Sequence, residues 1–174
     1  VPFVIRDFQP SDFEALWRID QACFAPGISY SRAELKLYMR RPGAFTLVAD
    51  ASTGEAREAQ VSKSQVSKSK DVAASSIGIG GFLVAEAARR SGHIITIDVV
   101  AAARRSGVGS LMLRAAEERL RAARCRSVEL ETAVDNISAL SFYKRHGYHV
   151  VRTYPRYYSN GVDALILEKE LMEK

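Results

Sequence analysis

Ile95-Thr-Ile-Asp-Val-Val-Ala-Ala-Ala-Arg104-Arg105-Ser106-Gly107-Val108-Gly109 is the stretch on which the fold turns. An apolar strand ends near Val100, a short loop follows, and a helix begins among glycines. Val108, Leu111, Met112, Ala115 and Leu120 recur at helical spacing, which predicts a helix over 107–123. Backbone N–H groups at a helix start have no intrahelical partner, and the helix dipole favours an anion there. Gly107 and Gly109 let a phosphate approach the backbone, and Arg104 adds positive charge. A glycine-punctuated turn before an ordinary amphipathic helix fits the same residues. A dinucleotide fingerprint fits less well, because G-V-G is followed by Met112 where a third glycine is needed.

Working outward, the residues before this stretch read as a hairpin. It has a Gly-rich strand over 77–86, a turn at 89–92 and an apolar strand over 93–100. Further upstream lie a strand over 3–8 and a helix opened by Ser11-Asp12-Phe13-Glu14, with Leu16, Ile19 and Cys23 on one face. A second helix is opened by Ser31-Arg32-Ala33-Glu34, with Leu35, Tyr38 and Met39 turned inward, and a strand follows over 44–49. Downstream, a strand over 127–133 leads to Asn136 as N-cap of a helix over 137–146, closed by Gly147. Strands over 148–154 and 162–171 complete a mixed central β-sheet flanked by helices, an α/β single domain over 1–174.

Residues 51–76 break this pattern. Val61-Ser62-Lys63-Ser64-Gln65 is nearly repeated by Val66-Ser67-Lys68-Ser69-Lys70, with no large apolar anchor. Such a segment buries too little surface to offset its ordering entropy, so a flexible insertion is expected.

The 174 residues suit one domain, with 47% hydrophobic and 26% charged residues, an ordinary globular balance. No apolar run is long enough for a membrane span. Val1-Pro2-Phe3-Val4-Ile5 runs straight into Arg6 and Asp7, unlike a secretory leader, and no initiator Met is present. Cys23 and Cys125 do not make a disulfide framework, and the expected compartment is reducing and cytoplasmic. His93, His146 and His149 show no ligand spacing with the cysteines, so no metal is expected. The net charge of +5 is scattered over the chain, and a solvated surface is preferred to a nucleic-acid footprint.

Glu129-Leu130-Glu131-Thr132-Ala133-Val134-Asp135-Asn136 precedes Ala139, Tyr143, Gly147 and Tyr148. Taken singly, Asn136 is a helix cap, Tyr143 a packed aromatic and Glu131 a solvated carboxylate. Together, Arg104-x-x-Gly107-x-Gly109 and Asn136-x-x-Ala139-x-x-x-Tyr143-x-x-x-Gly147-Tyr148 resemble the GNAT acyltransferase superfamily over most of the chain. Leu130-Glu131, the spacing to Asn136, Arg156-Tyr157-Tyr158 and Asp163-Ala164-Leu165-Ile166-Leu167 are most similar to the RimI-type protein N-terminal acetyltransferases. Two features depart from that pattern: Val100-Ala101-Ala102 replaces a V-D-P-type sequence, and the loop after the tyrosine pair is short.

The resemblance implies the GNAT fold and acetyl-CoA as acetyl donor. Arg104, Arg105, Ser106, Gly107, Val108 and Gly109 would hold its diphosphate, and Val99 and Val100 would run beside the pantetheine arm. Asn136 would lie near the reactive end. Tyr143 would sit at the sulfur, Glu131 would act as base, and Tyr157 and Tyr158 would receive the peptide. The implied acceptor is a protein N-terminus, with a ribosomal protein as the family's substrate. A lysine side chain or small amine is the sibling reading, and a CoA-binding regulatory module without turnover is the reading from another class. The residue types suit amine attack on a thioester. A peptide α-amine, with a reference pKa of ~7.7–8.0 against ~10.4 for lysine, needs only a modest base.

Overall fold

The structure of the protein, a computed structural model, describes residues 2–51 and 78–171. Apart from Ala51, the insertion expected at 51–76 lies outside these residues. Among the described residues the order is β1 (Val4–Asp7), α1 (Phe13–Cys23), α2 (Arg32–Met39), β2 (Ala44–Asp50), β3 (Ile79–Ala88), β4 (Ser91–Val99), α3 (Val108–Ala122), β5 (Ser127–Ala133), α4 (Ile137–Arg145), β6 (His149–Tyr154) and β7 (Ala164–Glu170). The seven strands form one sheet in the order β1-β2-β3-β4-β5-β7-β6. Every neighbouring pair is antiparallel except β4 and β5, which are parallel. No helix among the described residues is long and apolar enough to cross a membrane.

Two apolar layers hold this arrangement. On one sheet face, Leu47, Leu83, Ile94, Leu130 and Leu167 pack against Met112, Leu113 and Leu120 of α3 and Tyr143 of α4. On the other, Val48, Phe82 and Val84 pack against Phe13, Leu16 and Ile19 of α1 and Leu35 of α2. A fully buried Leu or Phe contributes about 1.5–3 kcal/mol relative to an exposed one. The buried stripe of α3 is Val108, Met112, Leu113, Ala116 and Leu120, while Leu111 is 40% exposed. Val108, Met112 and Leu120 of the expected stripe are buried, Ala115 packs partly buried against the core, and Leu113 and Ala116 complete the buried face in place of Leu111. Glu117 is buried in the same stripe because the Tyr148 hydroxyl and the Lys169 ammonium both donate to it, at 3.1 and 2.8 Å.

Helix starts follow local chemistry with one exception. Ser31 and Glu34 form the expected reciprocal cap on α2, and Asn136 Oδ1 accepts the Ala139 N–H on α4. The cap expected from Ser11 and Glu14 does not form. A short 3-10 turn over Pro10–Asp12 precedes α1, and Asp12 accepts the Gln9 N–H and the Arg6 guanidinium instead. Arg6 also donates to Asp50 at 2.6 Å, so a tertiary ion pair decides where α1 begins.

The feature that creates a site is in β4. Val84 pairs with Thr96 and Ala85 with Ile94, which leaves Ile95 as an extra residue on β4. Such a bulge bends a strand and breaks its alternation. Pairing between β4 and β5 runs from Ser91–Ser127 to Ile94–Leu130 and stops there. Beyond the bulge the parallel strands diverge, and a cleft opens between their facing edges.

Candidate active site

Three elements shape the cleft: the diverging ends of β4 and β5, the start of α3, and α4. The loop into α3 turns twice through the left-handed region, at Arg105 (φ 62°) and Gly107 (φ 85°). A non-glycine residue in that region costs on the order of 1 kcal/mol, and such strain gathers at functional sites. Gly107 is the N-cap and has no side chain to cap the helix, and the first turn carries no acidic residue. A Cβ built on Gly107 would meet no atom within 4 Å, so the space before the helix is open. The first intrahelical bond is Leu111 N–H to Gly107 O at 3.0 Å, which leaves the amides of Val108, Gly109 and Ser110 as the free donors of the helix start. Such donors, with the helix dipole behind them, favour an anion.

A cavity of about 760 Å³ extends from that helix start along the cleft. It unites most of the residues singled out from sequence: Val99, Arg104, Arg105, Gly107, Val108, Gly109, Glu131, Asn136, Tyr143 and Tyr158 all line it. Three do not. Ser106 turns its hydroxyl back onto Ala103 O at 2.7 Å. Val100 gives its N–H to Gly80 O at 3.0 Å and so has none for a ligand. Tyr157 is half-exposed and stacks edge-on against Tyr158, at the rim. Arg104 lines the cavity while its Nε holds Val99 O at 3.1 Å, which ties the loop to the end of β4.

Tyr143 is buried, with Phe142 and Tyr148 edge-on against its ring at 5.3 and 5.7 Å. Burial, reinforced by Asp98 and Tyr158, pushes its phenol well above the ordinary tyrosine range. It is therefore a proton donor at any physiological pH. Glu131 Oε2 lies 2.7 Å from His93 Nε2, and His93 Nδ1 lies 3.6 Å from Glu86. Burial opposes a charge on His93, but the Glu131 hydrogen bond and the two carboxylates outweigh it and raise the imidazole above its usual value. The sequence reading missed His93, which had been weighed only as a metal ligand. The usable signal is alternation: His93 and Glu131 occupy like positions on two strands, but only the parallel register brings them together.

Part of the cavity wall comes from chain far apart in sequence. Cys23 at the end of α1 lines it with Phe24, Ile28 and Tyr30 from the connection to α2, and Tyr158 lines it from the β6–β7 loop. Ser159 Oγ donates to Gly27 O at 2.7 Å and joins the two loops. Gly27 has φ 90°, and a Cβ there would lie 2.6 Å from Ser159 Oγ. The Cys23 thiol donates to Val99 O at 3.5 Å, and burial pushes its pKa up, so it is not primed as a nucleophile. Cys125 is buried in the core. Asp98, near the end of β4, accepts from Thr96 Oγ1 at 2.7 Å, and burial pushes its carboxyl up to about 8.

A cavity whose wall carries the free amides of a helix start, the β4 edge beyond its pairing with β5, the Glu131 carboxylate and the protonated Tyr143 phenol suits an extended thioester. Acetyl-CoA fits this donor set: the α3 amides and Arg104 for the diphosphate, the β4 edge for the amides of the arm, and Tyr143 for the sulfur.

Comparisons with known proteins agree with this geometry. Residues 66–148 match the acetyltransferase (GNAT) family. An N-alpha-acetyltransferase of Sulfurisphaera tokodaii is 31% identical over 83 residues, covering 47% of this chain and 50% of its own length. The chain spans about half the length of the curated relatives it matches. The crystal structure of Ard1 from Thermoplasma volcanium superposes with a TM-score of 0.79 at 26% identity, over 99% of this chain and 100% of that one. The Escherichia coli ribosomal-protein-S18-alanine N-acetyltransferase superposes with a TM-score of 0.75 at 16% identity, over 99% and 96%. The diverging β4–β5 pair, the α3 anion site and these matches lead to one conclusion: the chain has the GNAT acetyltransferase fold.

Proposed function

We propose that the protein is an acetyl-CoA-dependent protein Nα-acetyltransferase. The observation that carries this reading is one cavity lined by the start of α3, by Glu131, which His93 holds at 2.7 Å, and by Tyr143. GNAT enzymes use acetyl-CoA, and the Sulfurisphaera tokodaii relative is an N-alpha-acetyltransferase. The RimI-like residues add a ribosomal protein N-terminus as the candidate acceptor.

The α3 amides and Arg104 hold the diphosphate, and the cleft aligns the arm so that the acetyl group arrives between Tyr143 and Glu131. Both partners are bound together, and this fixed orientation supplies much of the rate. Glu131, reaching through one water, takes a proton from the incoming amine, with His93 holding the carboxylate in place. The amine nitrogen attacks the thioester carbon. A backbone N–H of β4 beyond the Ile95 bulge, free of β5, donates to the developing oxyanion. As the carbon–sulfur bond breaks, Tyr143 donates its proton to the departing thiolate. The acceptor approaches between Tyr30 and Tyr158, beneath the Gly27–Ser159 contact, and Tyr157 meets it at the rim.

The test is a panel of peptides beginning with Ala, Ser or Met, each carrying an internal Lys, incubated with acetyl-CoA and read by fragment mass. Acetyl on the α-amine supports the reading. Acetyl confined to the lysine replaces it with the side-chain reading. CoA binding without transfer to any amine replaces it with the regulatory module.

A further inference from the structure

Two carboxyl groups in the core take no part in the chemistry above. Asp20 of α1 and Asp98 of β4 are 0% and 1% exposed. Among the described residues, Asp20 Oδ1 and Asp98 Oδ2 are the buried side-chain polar atoms without a hydrogen-bond partner. The two groups lie across one seam. Cys23, one turn beyond Asp20, donates to Val99 O at 3.5 Å, so this face of α1 rests on the end of β4. The Asp20 charge acts on the Asp98 carboxyl. A buried carboxylate oxygen that accepts from nothing costs free energy, and two like charges in one seam cost more. A proton on one group removes one charge and turns one acceptor into a donor. The bonds already made say which group carries it. Asp20 Oδ2 accepts the Tyr30 N–H at 2.8 Å and Gln21 Nε2 at 3.0 Å, whereas Asp98 Oδ1 accepts the Thr96 hydroxyl. Donors favour the charged form, so the charge belongs on Asp20 and the proton on Asp98. Burial, with the Asp20 charge adding to it against the Thr96 bond, pushes Asp98 up to about 8.

We infer that Asp20 and Asp98 are a positioning pair for the acceptor side of the cavity: one proton, held by Asp98, keeps the two carboxyls together and leaves Asp20 charged to hold Tyr30. The effect on the acceptor rests on the acetyltransferase reading above, whereas the pair itself does not. Tyr30 lines the cavity, and α1 holds its backbone at both polar atoms. Its N–H is on Asp20, and its carbonyl accepts from Gln21 Nε2 at 2.8 Å and from Trp17 Nε1 at 3.2 Å. The groups around Asp98 leave its proton as the one that titrates near neutrality. β3 presents Phe82 opposite it. Cys23 of α1, Tyr30 and Tyr143 of α4 feel the Asp98 charge, and burial pushes all three upward, so they stay neutral. The Arg104 guanidinium stands at the Cys23 thiol, 3.9 Å from its sulfur. On the far side, Glu34 of α2 adds negative charge to the surroundings of Asp20. Below about pH 8 the proton is in place and the seam is closed. Above it two carboxylates oppose one another, α1 is pushed from β4, and the hold on Tyr30 loosens.

Trp17 is the single tryptophan of the chain, so its emission reports the hold on Tyr30 with no ligand present. In the full chain, the emission maximum should shift in one step centred near pH 8. Asp98→Asn keeps a neutral donor in the seam and should abolish the step. Should that variant not fold, Asp20→Asn tests the same pair: it removes the like charge, and the midpoint should fall. The second reading is the KM of an Ala-starting peptide, with acetyl-CoA saturating. The ratio of KM in the unaltered protein to KM in Asp98→Asn cancels the titration of the peptide amine. It should rise about ten-fold from pH 7 to pH 9, as the protonated fraction of Asp98 falls, with the acetyl-CoA Kd ratio flat. A purely structural role would give a ratio independent of pH. No step in the unaltered protein, an equal step in Asp98→Asn, an unmoved midpoint in Asp20→Asn or a flat KM ratio overturns the inference and leaves the acetyltransferase reading intact. Absence of transfer to any peptide removes that reading, and the Trp17 emission then decides the pair alone.

Discussion

At the α3 end of the cavity, the residues assigned to the diphosphate come from one run of chain, Val99 to Ser110. Elsewhere on its wall, Tyr30, Glu131 and Tyr158 arrive from separate elements, and Ser159 to Gly27 joins two of the loops that carry them. The first region is a local structure: a turn through two left-handed residues and the dipole of the helix that follows. Its binding chemistry is mostly backbone and tolerates side-chain change wherever glycine is retained. The second region depends on strand register and on two loops meeting. Its chemistry is side-chain chemistry, and its specificity can change without disturbing the cofactor end.

The largest effect should come from breaking the local region. Gly107→Val forces a β-branched residue into a positive-φ position at the mouth of the anion site. Calorimetry should show acetyl-CoA affinity reduced by about 100-fold or more, in line with the loss of a preorganised set of donors. Unchanged affinity would remove α3 as the diphosphate site. Next, Tyr143→Phe should lower kcat by about 10²-fold with the acetyl-CoA Kd unchanged, because only proton donation is removed. A fully active variant would leave Tyr143 a packing residue.

Glu131→Gln should cost about ten-fold or more in kcat/KM, and most at low pH, where the acceptor α-amine (~7.7–8.0) is largely protonated and needs a base. The loss should shrink at alkaline pH, and a profile parallel to that of the unaltered protein would contradict the base role. Ser159→Ala frees the loop contact, and a few-fold rise in acceptor-peptide KM is expected, with CoA affinity untouched. This result would sharpen the contrast between the two ends, whereas an equal loss of CoA affinity would erase it.

The smallest effect concerns stability. Folding holds a proton on Asp98 up to about pH 8, which the unfolded chain releases near the usual ~3.9. The stabilisation from that proton is complete below the unfolded value and is lost as pH rises to about 8. Asp98→Asn removes this loss, so its Tm should exceed that of the unaltered protein by about 2–6 °C above pH 8, with the gap closing toward pH 4. A Tm difference independent of pH would show that Asp98 is ionised in the folded state.

The elements most legible in the sequence were those with local causes. Ser31 and Glu34 cap α2, Asn136 caps α4, and the β3–β4 hairpin and the strand at Ser127–Ala133 form where their patterns indicate. Where the structure differs, other contacts are in place. Asp12 holds Arg6 and the Gln9 N–H in the turn before α1, and Glu117 sits in the buried stripe of α3 on Tyr148 and Lys169, from chain distant in sequence. Val100, Ser106 and Tyr157 stand outside the cavity lining, the Val100 N–H on Gly80 O, the Ser106 hydroxyl on Ala103 O and Tyr157 against Tyr158 at the rim.

By itself the sequence determined the glycine turn into α3, the caps, the alternating strands and the residue types needed for amine acetylation. These follow from backbone stereochemistry and from neighbours within a few positions. Only the tertiary structure decided that His93 would meet Glu131, that Gly27 would meet Ser159, that Ser110 would meet His146, and that Asp98 would be buried. Sheet order, parallel register and the place where β4 leaves β5 are long-range packing outcomes, and short-range propensity carries no information about which distant side chains they bring within hydrogen-bond distance.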